Sequence, residues 1–178
     1  MKKLLLSLFL AITAISAISQ GFYDINTINT IEITFTEPGW DQILDTYYVN
    51  DIGERLTATV IINGTQYDSV GVKYKGNSSC DTSRIKNPFN IKLDHVIDGQ
   101  DIEGYSTLKL SNGWRDPSFV REPLAYEIAR KYTTASQANF VRVYVNGTYW
   151  GLYISVESVN KDFIENHYYE DAGAFLKG

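Results

Sequence analysis

Hydrophobic and polar side chains alternate over residues 31–36, with Ile31, Ile33 and Phe35 on one side and Glu32, Thr34 and Thr36 on the other. That is the period of a half-buried strand. Pro38 and Gly39 close it, and Trp40, Ile43, Leu44 and Tyr47 then recur at helical spacing, predicting a short amphipathic helix over 39–48. Leu56, Ala58, Val60 and Ile62 alternate up to Asn63-Gly64, and the chain returns through Val70, Val72 and Tyr74. Asn-Gly supplies the positive φ that a type I′ turn needs at both central residues, so this is a hairpin. A second Asn-Gly hairpin occupies 140–157, with Val141, Val143 and Val145 entering Asn146-Gly147 and Leu152, Ile154 and Val156 leaving it. Between the hairpins lie strands at Asn90 to Leu93 and Thr107 to Leu110. A helix follows, with Asp116 as N-cap and Pro117 at its first position. On it Val120, Leu124 and Ile128 fall at i, i+4 and i+8, with Pro123 kinking or restarting it one turn in. Asn160 caps a last short helix. The order β-α-β-β-β-β-α-β-β-α predicts an α+β fold, a mostly antiparallel sheet with a few helices on one face.

The start of the chain has a different pattern. Lys2 and Lys3 precede an apolar run from Leu4 to Ile18 that ends in small residues at Ala17 and Ser19. This is the layout of a secretory leader cut before Gln20, so residues 1–19 read as a signal peptide and 20–178 as one domain. The run is too short and too interrupted by Ser7, Thr13 and Ser16 to span a bilayer comfortably, so no membrane span is expected after its removal. The 178 residues carry a net charge of −5, and loss of the two leader lysines makes the remainder more acidic still. That argues against a nucleic-acid partner. A single cysteine, Cys80, excludes an intramolecular disulfide, and with only two histidines, His95 and His167, no zinc-binding cluster exists. No G-x-S-x-G elbow, Walker A or G-x-G-x-x-G sequence is present.

The densest candidate chemistry lies in GVKYKGNSS, residues 71–79. Strand alternation puts Lys73 and Lys75 on one face, and the turn of Gly76, Asn77 and Ser78 follows at once. Such a turn offers backbone N–H groups and hydroxyls to an anion beside two ammonium groups, although a solvated strand running into a loop reads the same way. In KNPFNIKL, residues 86–93, Phe89, Ile91 and Leu93 face the core while Lys92 shares the face of Asn90. Glu157 ends the return strand of the second hairpin, opposite Ile154 and Val156, where it has the choice of orienting a phosphate-binding lysine or making a surface ion pair.

These two segments, with LKLSNGWRDPSFVREPLAYEIAR at 108–130 and VRVYVNGTYWGLYISVESVNKDFI at 141–164, resemble the CotH kinase family, named for a spore-coat protein. The resemblance covers roughly residues 31–178. It implies the N-terminal portion of an exported, atypical protein-kinase-like enzyme that uses ATP and a divalent metal such as Mg to phosphorylate Ser or Thr of an extracellular or envelope protein. It marks Lys73, Lys75, Gly76, Asn77 and Ser78, together with Lys86, Lys92 and Glu157, as nucleotide-binding candidates. By analogy with protein kinases, Glu157 would pair with Lys92 or Lys75, and Glu122 and Glu127 are further candidate carboxylates. The family's metal-binding and catalytic acids are expected beyond a strand near Ala174 to Lys177, so no catalytic or metal residue is assigned within the chain. The competing expectation is a non-catalytic surface binding or assembly module of the same fold, for which 13 tyrosines supply contact surface.

Overall fold

A computed structural model describes residues 21–169; the leader and the strand expected at 174–177 lie outside these residues. The elements follow the expected order: β1 (Ile28–Phe35), α1 (Trp40–Val49), β2 (Leu56–Ile62), β3 (Thr65–Tyr74), β4 (Phe89–Lys92), β5 (Thr107–Ser111), α2 (Arg121–Ala129), β6 (Ala138–Val145), β7 (Thr148–Glu157) and α3 (Lys161–Tyr168). Both Asn-Gly pairs adopt positive φ, 50° and 88° at Asn63-Gly64 and 47° and 77° at Asn146-Gly147. Asn160 Oδ1 accepts the Phe163 N–H at 3.2 Å and starts α3.

The architecture differs from the α+β layout. The strands close into a seven-stranded barrel in the order β1-β2-β3-β4-β5-β7-β6. Closure comes from β1, which pairs antiparallel with β2 and parallel with β6, Ile31 opposite Val143. The three helices are short and sit around a closed wall instead of covering one face of an open sheet. Closing the sheet removes its edges, and the inner face then needs apolar residues from every strand. Ile31, Ile33, Val60, Ile62, Val72, Phe89, Ile91, Leu108, Leu110, Val141 and Val143 fill it. Each aliphatic side chain so buried contributes roughly 1.5–3 kcal/mol.

A β-bulge decides which face of β7 looks inward. Next to the Asn146-Gly147 turn, Val145 opposes Thr148 and Tyr144 opposes Tyr149, but Val143 opposes Gly151, leaving Trp150 as the extra residue. One inserted residue exchanges the faces of everything beyond it. Tyr153, Ser155 and Glu157 therefore point into the barrel. Ile154 and Val156 point out, forming with Ala138 a small second cluster against Phe119, Tyr126 and Phe140.

The second helix also departs from expectation. Asp116 does cap a turn, accepting the N–H of Ser118 at 3.2 Å and of Arg121 at 2.9 Å, but Phe119 takes a φ of 61° and the helix begins only at Arg121. Pro123, in the first turn of this later helix, is its buried residue. Val120, Leu124 and Ile128 are 49%, 50% and 47% exposed, so their spacing marks an outward ridge and not a core face.

Candidate nucleotide-binding cleft

A cleft of about 480 Å³ lies on the outer wall where β3 and β5 end and the chain climbs into α2. It is lined by Ser79, Ser111, Asn112, Trp114, Asp116 and Ile154, and by the charged Arg115, Arg121 and Glu122. Local rules build it. Gly76, at a φ of 94°, turns the chain after β3, and Gly113, at 72°, turns it after β5. A Cβ at Gly113 would meet the Phe119 ring at 2.7 Å, so glycine is needed there for space as well as conformation. Asn112 Nδ2 donates to the carbonyls of Ser79 and Lys86, each at 3.0 Å, tying the two rims together.

Lys75 does not line this cleft but reaches one of its lining residues, Ser111. Its N–H donates to the Pro88 carbonyl at 3.0 Å and its Nζ to Ser111 Oγ at 3.2 Å. Burial lowers its pKa, an effect partly offset by the negative charge of Glu122. Across the cleft the Ser118 hydroxyl, followed by the Arg121 N–H, holds the Asp116 carboxyl below the usual range. Arg84 lies over the Trp114 ring, 3.8 Å from its centroid. The cleft thus sets two guanidinium groups, Arg115 and Arg121, beside two carboxylates, Asp116 and Glu122, with Arg121 Nε 3.7 Å from Asp116.

The remaining sequence candidates are dispersed. Gly76, Asn77 and Ser78 form the exposed turn, but the carbonyls of Gly76 and Asn77 accept the Tyr48 hydroxyl at 2.9 and 3.0 Å and are thereby held toward α1. Lys73 lines a smaller hollow of about 90 Å³ with Tyr47, Tyr48, Asp51 and Glu54. Lys86 donates from Nζ to the Leu152 carbonyl at 2.7 Å and lies over the rings of Phe119 and Tyr153 at 4.6 and 4.8 Å. Its pKa is lowered by burial. Gly151 makes room for it, because a Cβ there would come within 3.1 Å of Lys86 Cε. Lys92 lies 3.9 Å from Asp94 near the other end of β4.

Glu157 does not join these lysines. It is 1% exposed on the inner face, across from Leu108. Its carboxylate accepts the Gln137 N–H at 2.9 Å and contacts His167 Nε2 at 3.0 and 3.2 Å. Of the two helix carboxylates considered, Glu122 lines the cleft and acts electrostatically on Lys75, whereas Glu127 lies on the surface beside Leu124 and Phe140. Sequence reasoning did not single out Ser111, Asn112, Trp114, Arg115 or Arg121. The available signal was the run SNGWRD, a glycine turn with two polar residues before it and a Trp-Arg-Asp after it.

The fold is a barrel closed around an aliphatic core, with a cleft on its outer wall lined by two arginines and two carboxylates. The family model of the CotH kinase proteins matches residues 72–178, more than half of the chain, and the chain belongs to the CotH family. The match begins within β3, so β1, α1 and β2 precede it. Comparison with curated proteins found no match.

Proposed function

We propose that the protein is an exported CotH-type kinase whose outer-wall cleft holds ATP, with Lys75 on the phosphates, Ser79 and the Gly76 turn closing over them, and Glu122 balancing the lysine. The observation that carries this reading is the half-buried Lys75 ammonium, which donates to Ser111 in the lining of a cleft of about 480 Å³ and has Glu122 in its field. Desolvation makes such an ammonium costly in isolation, and a bound phosphate supplies the countercharge. ATP would supply the transferable phosphoryl group to a serine or threonine of an extracellular or envelope protein. The residues present fit the phosphates and not the metal: among the described residues no three His, Cys, Asp or Glu side chains gather into a cation site. Lys75, Arg115 and Arg121 accordingly do the charge balancing, and Asn112 sets the separation of the two rims. Export rests on the N-terminal leader pattern.

Calorimetric titration with ATP and Mg tests this reading. Saturable binding that is lost in Lys75→Met supports it, and no heat of binding in the wild-type chain overturns it. A second reading, a non-catalytic assembly module, draws on the ridge of Val120, Leu124 and Ile128; it requires tight association with an envelope protein that ATP leaves unchanged.

A further inference from the structure

The outer wall of β3, β4 and β5 carries a strip of one charge sign. Val72, Tyr74, Phe89, Ile91, Leu108 and Leu110 belong to the core, so strand alternation turns the residues between them outward. Strand pairing sets these in rows. Lys73 lies opposite Asn90 and Asn90 opposite Lys109; one row further from the cleft, Gly71 lies opposite Lys92 and Lys92 opposite Thr107. The three lysines are each partly exposed, and none of these outward positions is an acid, in a chain whose net charge is −5. Arg55 adds a fourth cation. Its Nη1 donates to the carbonyls of Gly71 and Asn90 at 3.1 and 3.0 Å, and its Nη2 to Asn90 Oδ1 at 2.9 Å. Gly71 leaves room for it, since a Cβ there would meet Arg55 Cδ at 2.7 Å. The acids stand at the margins: Asp94 lies past β4, 3.9 Å from Lys92, and Asp51 and Glu54 share the hollow beside Lys73. At its other end the strip meets the cleft through Lys75 and Ser111.

We propose that this strip docks an extended acidic segment of a partner protein, laid along the strands with Lys73, Lys92, Lys109 and Arg55 against its carboxylates. The inference rests on the kinase reading above only for the partner's identity, the protein that is to receive the phosphoryl group. Successive outward residues of a strand are about 6.7 Å apart, and neighbouring strands about 4.8 Å. Carboxylates at alternate positions of an extended peptide have the same spacing and fall on successive rows. A closed barrel has no strand edge for such a segment to pair with, which leaves side-chain charge as the means of holding it. The charge of the whole molecule selects the class of partner. A net-negative chain repels a long nucleic acid or an anionic membrane surface, whereas a short acidic segment meets the local field of the strip. A segment laid this way leads toward Lys75, so its acidic residues lie to one side of the serine or threonine presented at the cleft.

The test follows the fluorescence anisotropy of a labelled peptide of alternating Ser and Glu on the whole protein, with a Ser-Lys peptide and a single-stranded oligothymidine of equal length as controls. Saturable binding of the Ser-Glu peptide is expected, weakened at least about tenfold when salt is raised from roughly 50 to 500 mM, because exposed pairs are screened. Lys92→Glu combined with Lys109→Glu should lower the affinity at least about tenfold, and Lys92→Gln combined with Lys109→Gln should lower it by less. Circular dichroism checks that the variants fold, and the glutamine pair carries the test if charge reversal unfolds the barrel. No binding of the Ser-Glu peptide, equal binding of the Ser-Lys peptide, tighter binding of the oligothymidine, or folded variants that bind as the wild type does each overturn the inference. ATP and Mg titrated into the peptide complex separate the two readings. The peptide is expected to stay bound; its full displacement makes the strip the nucleotide site and overturns the docking surface. Peptide binding retained in a protein that takes up no ATP overturns the nucleotide reading and leaves the docking surface standing.

Discussion

The inner and outer faces of the wall formed by β5 and β7 carry opposite chemistry. Inside, Leu108 and Leu110 stand beside Tyr153, Ser155 and Glu157, all buried, and the one carboxylate there is held by Gln137 and His167. Outside, Ser111 and Ile154 line a cleft whose charges are Arg115, Asp116, Arg121 and Glu122, with Lys75 bonded to Ser111. A carboxylate on the inner face fastens α3 to the barrel, whereas one on the outer rim can act on a ligand. What separates the two roles is strand parity, set by one extra residue at Trp150.

The largest effect that tests this contrast comes from Glu157→Ala. The substitution leaves His167 and the Gln137 N–H without their buried acceptor, so unfolding in denaturant should show a loss of about 3 kcal/mol or more. Nucleotide affinity of the folded fraction should be unchanged; a protein of full stability that has lost its affinity would put Glu157 in the cleft after all. Lys75→Met reverses the pattern, with folding stability maintained and nucleotide affinity reduced at least about tenfold, the scale of one charge-assisted contact to phosphate.

The pH dependence sharpens the same point. Burial lowers the Lys75 pKa in the folded protein, so below the ordinary lysine value of about 10.4 there is an alkaline window in which the unfolded chain binds more protons than the folded one. In that window the contribution of Lys75 makes stability rise with pH. A bound phosphate favours the ammonium again, so nucleotide binding there should take up a proton. Calorimetry in two buffers of different ionisation enthalpy measures this, and the uptake should vanish in Lys75→Met. The smallest effect is expected from Tyr48→Phe, which frees the carbonyls of Gly76 and Asn77 and should weaken nucleotide binding by about 1 kcal/mol or less.

Much of the fold was legible because its signals are local. The Asn63-Gly64 and Asn146-Gly147 turns, the alternation of Leu56 to Ile62 and the Asn160 cap each declare themselves within a few residues. Barrel closure was not legible, since the parallel pairing of β1 with β6 joins segments about a hundred residues apart and leaves no local mark. The inward turn of Glu157 was hidden for a related reason. Leu152, Ile154 and Val156 alternate as a core face would, and only the Trp150 bulge, beside a glycine at a φ of 141°, moves them outside. In the cleft, Lys75 and the Gly76 turn could be read from period and composition, but Ser111, Asn112 and Arg121 join them only through the path of the loop before α2. That path in turn depends on Phe119 and Gly113. The Val120, Leu124 and Ile128 spacing describes a helical face correctly without saying whether protein or solvent lies against it.

The claim that the outer-wall cleft is the nucleotide site is tested most directly by titrating the isotopically labelled protein with ATP and Mg while following backbone amide resonances. The account predicts saturable shifts concentrated at Lys75, Gly76, Ser79, Ser111, Asn112 and Glu122, with Ser155, Glu157 and His167 unmoved. Shifts centred on Glu157 and His167, or none at all at saturating nucleotide, would contradict it.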